Sequence, residues 1–516
     1  MRKSGAICEG RPRSLSARLT GGLSECYNDR IITGAFAKRF APHGACKLRK
    51  LREKTTSGGN NRALLALICA LAWPTVVEQA LSTVVQYADS AMVGRIGAHA
   101  SACVGLTTTM TWLVNSPMFA MGVGVMACVA RAVGAKDFDR ARRTASQSVL
   151  LALILGSVLG GVTLAISPFL PSWLGAEESL RHDGGLYFAI ICAPMLFRAS
   201  LILFASAMRA TGDTRTPMFI NIGVNVVNVI LNFLLIYAAR SVSLFGLTVT
   251  VPGAGMGVIG AAVATAIAYV MGGTAMFIAF WRNKAVSPRG RRIRLDKEVM
   301  TPCVRIGMPV LLEHMGSCLG QVVFSALVTS LGTVALATHS LAITAEQAFY
   351  IPGYGMQAAA STLAGQALGE QDEKKLNRVS LLITLMAAGI MTLTGAVLFA
   401  IPATMMGLFT TDAAVIAGGV TILRIVAVSE PIYGASIIFT GTFNGVGDTR
   451  TPFIISLLCM WGVRIVSTAL CVKVFGLGLT AVWLCMVADN VTRGVLLGIR
   501  YVSGRWKKGL FEQKAA

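Results

Sequence analysis

The chain has 516 residues, of which 54% are hydrophobic and only 14% charged, with a mean hydropathy of +0.66. Those values exclude an ordinary soluble globular protein and a disordered chain, and they leave the bilayer as the solvent. A net charge of +22 raises the question of a nucleic-acid ligand, but the basic residues are distributed along the chain as they are in a membrane protein.

Residues 1–60 are polar, basic and Gly/Ser-containing, and fourteen Lys/Arg fall within residues 1–63. They lack the apolar stretch that a secretory signal needs, and Glu9, Glu25, Asp29 and Glu53 argue against an organelle-targeting peptide. A disordered cytosolic tail is the expectation. From Leu64 onward, apolar runs of about 20 or more residues recur, each long enough to cross a hydrocarbon core of roughly 30 Å as a helix. Twelve such runs are expected. The alternating decamers of an outer-membrane barrel are missing. The predicted organisation is a lobe at 61–283, a basic linker at 284–300, a second lobe at 301–503 and a tail at 504–516. Loops 2, 4, 6, 8 and 10 hold eighteen Lys/Arg, whereas the odd-numbered loops hold four: Arg95, Arg181, Arg240 and Lys473. This positive-inside pattern predicts both termini in the cytosol. It leaves no need for a nucleic-acid partner.

The hexapeptide Gly-Asp-Thr-Arg-Thr-Pro occurs at 212–217 and again at 447–452, a shift of 235. The same shift puts Pro74 on Pro309, Glu78 on Glu313, Gln86 on Gln321, Gly97 on Gly332 and Gly134 on Gly369. No gap is needed until "SVSLFGLTVTVPGAG" lengthens the first copy after its fifth helix. Six helices per copy is an even number, so the two bundles are parallel repeats about an axis along the membrane normal. A cleft between them is expected. The hexapeptide reads as a copied helix–helix hinge: Gly212 and Gly447 end one helix in the left-handed conformation, Thr216 caps the next, and Pro217 and Pro452 sit in its first turn.

The stretches "PTVVEQALSTVVQYADSAMVGRIGAHASACVG", "RATGDTRTPMFINIGVNVVNVILNFLLI", "IPGYGMQAAASTLAGQALGEQDEKK" and "ADNVTRGVLLGIRYVSGRWKKG" fall in order between about residues 62 and 508. Together they resemble the multidrug and toxic compound extrusion (MATE) family, and within it the prokaryotic DinF-like branch. The resemblance implies an all-α fold of twelve transmembrane helices in two V-shaped, pseudo-symmetric lobes. It also implies a monomer in the bacterial inner membrane that exports small, often cationic or amphiphilic compounds against inward flow of H+ or Na+, without a cofactor. A flippase for lipid-linked precursors, from the same wider superfamily, is the alternative. No catalytic motif of a hydrolase, metalloprotease or ATPase is present, so no enzyme is expected.

Charges inside the membrane need a reason, and the chain carries several. Asp89 matches the aspartate that the family carries near the outer half of helix 1, where it takes part in ion coupling. Glu78 lies eleven residues earlier, on the same helix face at about 16 Å. Glu313 repeats Glu78, and Glu346 and Glu430 fall in second-lobe spans opposite Thr111 and Met195 of the first. All five are candidates for the coupling ion, protons being favoured because Ser317 stands where sodium-coupled relatives place a helix-7 acid. For Asp89 and Glu78 the alternative to a lone titratable group is a carboxylate held in a fixed polar cluster for lobe packing; in the second lobe the alternative is neutralisation by Arg424, Arg464 and Arg493, and Asp489 and Arg493, four apart on one helix, read as a pair. Gln86, Gln321, Asn225 and Asn228 are candidates for a polar route, and Phe119, Met121, Tyr350 and Met356 for an adaptable apolar wall. His339 reads as a packed, hydrogen-bonded imidazole. The twelve cysteines form no C-x-x-C pair and read as small core residues, with no metal site.

Overall fold

A computed structural model describes residues 61–244, 247–290, 293–507 and 510–511; the expected tail at 1–60 lies outside the described residues. Six long helices make the first lobe: α1 (Asn61–Gly94), α2 (Ala98–Gly134), α3 (Phe138–Ile166), α4, α5 (Arg215–Leu235) and α6 (Gly257–Arg282). α4 is a broken span, Glu178–Cys192 followed by Met195–Ala210 at a bend of 45°, with Pro194 at the break. The second lobe repeats the series as α7 (Lys297–Thr329), α8 (Thr333–Gly369), α9 (Glu373–Ala400), α10 (Ala413–Val446), α11 (Arg450–Val474) and α12 (Leu479–Val502). The helix ends obey the shift read from the sequence: α2 and α8 both have 37 residues and begin and end 235 positions apart.

Ten helices are long and apolar enough to span, and α4 taken as one bent unit makes eleven. α8 completes the twelve. It is as long as α2, but it buries Thr338, His339, Glu346 and Gln366, so its apolarity falls below the others. A helix enclosed by protein has no need to be apolar all round. The insertion that lengthens the first copy is an antiparallel β-hairpin, β1 (Ala238–Leu244) with β2 (Leu247–Ala254), added to a fold whose membrane spans are all α-helical. The alternation in "SVSLFGLTVTV" carries the strand signal, at a period of two, beside much longer helical runs.

Each lobe has its own apolar core, built around Phe188, Phe204, Met208 and Phe280 in the first and Phe324, Leu398, Met406 and Trp483 in the second. The lobes meet where small residues let backbones approach. On the face that carries the even-numbered loops, here called the basic face, α2 crosses α8. A methyl group on Gly134 would sit 2.1 Å from the Gln366 carbonyl oxygen, and one on Gly369 would sit 2.0 Å from that of Arg131. Residues 131 and 366 are themselves 235 apart, so the two contacts exchange under the internal twofold. Immediately beyond, Lys136 (φ 59°) and Gln371 (φ 56°) turn each chain, and Asp137 and Asp372 accept hydrogen bonds from the Arg140 and Lys375 amides to start the next helix. Gln366 Nε2 also donates across the boundary to the Ala210 carbonyl at 2.8 Å, and Thr75 Oγ1 donates to the Gly355 carbonyl at 2.6 Å.

The hexapeptide hinges hold Gly212 at φ 97° and Gly447 at φ 88°. Pro217 and Pro452 lie buried in the first turns of α5 and α11. The capping differs from expectation. Asp213 accepts from the amide and hydroxyl of Thr216 at 3.1 and 2.9 Å, and Asp448 accepts from the Thr451 hydroxyl, so the aspartate is the acceptor and the threonine the donor.

Gly369→Ala is expected to push the lobes apart and cost about 1–3 kcal/mol, read as a lower Tm of the detergent-solubilised protein. Gly389→Ala, where an added methyl meets nothing within 4 Å, is the matched control and is expected to leave Tm unchanged or raise it.

Candidate functional site

α1 and α5 run side by side in the first lobe, and a polar ladder joins them at a constant offset of 143 residues. Asn221 Nδ2 donates to Glu78 Oε1 at 2.7 Å, Asn225 Nδ2 to Ser82 Oγ at 3.3 Å, and Asn232 Nδ2 to Asp89 Oδ1 at 2.6 Å. Glu78 and Asp89, eleven residues apart, therefore present one face to α5, as their spacing predicts. Their surroundings differ.

Glu78 is buried, and its Oε1 also accepts from Arg209 Nη2 at 2.5 Å. Of the two readings open for Glu78, the structure shows the carboxylate in a fixed polar cluster, as one half of an ion pair. Arg209 closes α4 just before the hexapeptide, where its charge counts toward the basic loops, and no spacing rule signals that it turns inward.

Asp89 meets amides. Asn228 lies 3.1 Å from both of its carboxylate oxygens and, with the amide nitrogen turned toward them, donates to both while accepting from the Thr265 hydroxyl at 3.1 Å. No arginine or lysine forms an ion pair with Asp89 among the described residues. The positions equivalent to Asp89, Asn228 and Asn232 in the second lobe are Phe324, Val463 and Ser467, so this niche exists once.

The second lobe places its charges elsewhere. Glu313 keeps the ladder, accepting from Ser456 Oγ at 2.8 Å across α7 and α11, again 143 residues apart. The residue equivalent to Arg209 is Asn444, and no ion pair to Glu313 occurs among the described residues. Asp489 is fully buried and holds two guanidiniums, Arg493 at 3.1 Å on its own helix and Arg464 at 2.7 Å from α11. Arg464 lies in a stretch of π-helical turns, Leu458–Ile465, and π turns widen a helix locally. The Asp489–Arg493 pair agrees with its i,i+4 spacing; the second arginine does not follow from spacing. Arg424 stacks over Phe399 at 5.7 Å.

Glu346 and Glu430 are therefore left without an arginine partner among the described residues. Both are buried, Glu430 within the field of Glu346 and Glu346 within that of Arg464, and neither oxygen of Glu430 has a hydrogen-bond partner among the described residues. Tyr350, Tyr354 and Tyr433 cluster beside them: the Tyr350 ring packs edge-on against the other two at 5.7 and 5.9 Å, and the Tyr354 and Tyr433 hydroxyls are 3.1 Å apart. Tyr350 was legible as a wall residue. Tyr354, four residues on along α8, shares that helix face, whereas Tyr433 comes from α10 and no spacing along one helix brings it there.

The remaining candidates are dispersed. Phe119 is exposed, as is Gln86, and Gln321 is half-buried. Met121 and Met356, equivalent under the repeat, are both buried, Met121 against Gly307 of α7. His339 is packed as expected, edge-on between Phe324 at 5.4 Å and Trp483 at 5.8 Å, but neither ring nitrogen has a hydrogen-bond partner. Its helical neighbours spend their carbonyls within α8, which leaves the imidazole only ring faces to meet. No group of three or more metal-ligating side chains occurs among the described residues.

Arg209→Met is expected to cost about 3–5 kcal/mol in thermal or denaturant unfolding, because it strands the buried Glu78 carboxylate. Glu78→Gln combined with Arg209→Met is expected to restore most of the loss.

The comparisons with known proteins follow the same geometry. The MatE family model matches twice, at residues 74–234 and 309–470. The chain is similar to a probable multidrug resistance protein NorM of Thermotoga maritima, 26% identical over 442 residues that cover 85% of this chain and 92% of that protein. It is also similar to an uncharacterized transporter, YisQ, of Bacillus subtilis, 23% identical over 90% of this chain and 98% of the relative. Its fold resembles a MOP superfamily transporter from Pyrococcus furiosus, with a TM-score of 0.79 at 22% identity over 91% of this chain and 99% of that one. A multidrug resistance MATE family transporter in an outward-facing conformation gives a TM-score of 0.77 at 22% identity over 92% and 100%. Two family matches spaced as the two lobes are spaced, on twelve helices that pair by the same shift, make this chain a multi-pass membrane transporter of the MatE family.

Proposed function

We propose that the protein is a secondary active antiporter that exports small cationic or amphiphilic compounds, drugs among them, in exchange for protons. The lobes would rock against each other, meeting at the α2–α8 crossing in one state and parting there in the other, so that a path opens first to one face and then to the other. The observation that carries this reading is Asp89: an intramembrane carboxylate held by Asn228 and Asn232, with no cation paired to it among the described residues, in a niche that its sister lobe fills with Phe324. Such a carboxylate is neutralised most simply by a mobile cation from solution. Loading it removes a charge from the α1–α5 interface, and this gives one conformation an advantage that the unloaded state lacks.

A second set of acids supports the same logic. Asp489 with Arg464 and Arg493 leaves one positive charge in excess, and Glu346 with Glu430 brings two negative charges beside it. The cluster balances when one of the two glutamates carries a proton or a bound cation. The tyrosine rings beside them offer faces that attract organic cations. In this reading the basic face is cytosolic, the protein acts as a monomer in the bacterial inner membrane, and no cofactor takes part.

Asp89→Asn is expected to reduce coupled export of a cationic dye from proteoliposomes to background while the protein keeps its Tm. Unchanged export would remove Asp89 from the mechanism. An imposed pH gradient is expected to drive the wild type, and a response to a sodium gradient alone would reverse the choice of ion. Glu430→Gln is expected to slow export and to shift its dependence on external pH, and an unaltered pH profile would assign Glu430 to packing.

A further inference from the structure

We propose that the cavity where α3 and α6 reach the basic face binds the phosphodiester headgroup of an anionic membrane lipid. The cavity encloses about 330 Å³, within the lower range of small-ligand sites. Four of its lining residues are cationic: Arg142 from α3, Arg282 from the end of α6, and Lys284 and Arg289 from the linker that follows; no carboxylate lines it among the described residues. Arg142 is held in place, its Nη2 donating to the Lys284 carbonyl at 2.8 Å, which uses one of five guanidinium N–H groups. The nearest acids on the linker are already engaged. Asp296 accepts from Arg143 Nε and Nη2 at 3.1 and 2.8 Å, and Glu298 from the same guanidinium at 2.9 Å. The hydrogen bond from Arg143 holds the Asp296 carboxyl below the ordinary carboxylate range, so it stays ionised and paired at neutral pH.

The depth of the cavity favours a lipid over a free anion. Trp281, the penultimate residue of α6, is part of the lining; its carbonyl accepts from Ser287 Oγ at 2.7 Å, and its ring packs on Phe277 at 5.3 Å. A tryptophan at the last turn of an apolar span marks the level of the headgroups. Phe277 and Ile278, both exposed, continue the surface toward the membrane interior, where acyl chains would lie. Inorganic phosphate shares the charge chemistry but has nothing to place against that apron.

A headgroup bound here would act on the strap between the lobes. Gln147 already grips that strap twice, donating to the Arg294 carbonyl at 2.9 Å and accepting from the Asp296 amide at 3.1 Å. The lipid would add a further clamp between the linker and α3, beside those of Arg142, Arg143 and Gln147, whatever compound the protein transports.

The test uses the full chain in mixed micelles and native mass spectrometry, with phosphatidylglycerol, phosphatidylcholine and inorganic phosphate as separate probes. The wild type is expected to retain phosphatidylglycerol and to release phosphatidylcholine. The triple variant Arg142→Gln, Arg282→Gln, Arg289→Gln is expected to weaken retention on the order of a hundredfold, about fivefold per cation. A triple variant with the same charge loss in the second lobe, Lys374→Gln, Arg378→Gln, Arg450→Gln, is expected to bind as the wild type does. Equal losses in both triples would mean diffuse surface charge and would overturn the site. Displacement of the lipid by equimolar inorganic phosphate would make it a free-anion site and would also overturn the proposal. Arg289→Glu alone, on an exposed linker residue, guards against a folding failure of the triple. It is expected to weaken retention about twentyfold, and unchanged retention would contradict the assignment.

Discussion

Two glycines set the distance between the lobes. At the α2–α8 crossing, Gly134 and Gly369 bring each helix against a carbonyl of the other, with no room for a side chain on either. Because the contact is its own image under the repeat, a single mutation changes one half of it and leaves the other half intact. In lipid, the hydrophobic effect does not push helices together, and close backbone packing takes its place. The rest of the lobe boundary follows from this approach: Gln366 reaches Ala210, Thr75 reaches Gly355, and the chain turns sharply at Lys136 and Gln371 to re-enter the membrane.

The two lobes keep one template and differ in what they place on it. The α1–α5 ladder of the first lobe becomes the α7–α11 ladder of the second, with Asn221 replaced by Ser456 and the buried Arg209 by Asn444. Where the first lobe has Met195 and Thr111, the second has Glu430 and Glu346; where the first has Asp89, the second has Phe324. The helix order and the α2–α8 contact repeat, and the polar content does not. A structure of this kind can close the same way about its axis while each half responds to a different chemical signal. The account of coupling rests on that division.

Much of the fold was legible because duplication writes itself into a sequence. The helix ends, the glycine pair and the hexapeptide hinges all follow from a shift of 235 and the punctuation of Gly and Pro. The hairpin at 238–254 escaped because a period-two pattern of fifteen residues is weak beside helical runs of twice its length. The site was legible in part. Asp89 and Glu430 stand out as acids in apolar runs, but whether an acid is lone or paired depends on helices far apart in the chain. Arg209 lies 131 residues from Glu78, and Arg464 meets Asp489 from a different helix, α11. Spacing rules see neighbours along one helix, such as Asp489 and Arg493, and miss partners brought in by packing.

The central claim is that the α2–α8 crossing on the basic face opens and closes during transport. Double electron–electron resonance between labels at Lys136 and Lys374, introduced as noncanonical residues so that the native cysteines stay intact, measures that opening directly. The account predicts two distance populations whose ratio shifts when pH is lowered and shifts back when a transported cation is added. A single distance under every condition, in protein that still exports substrate, would contradict it.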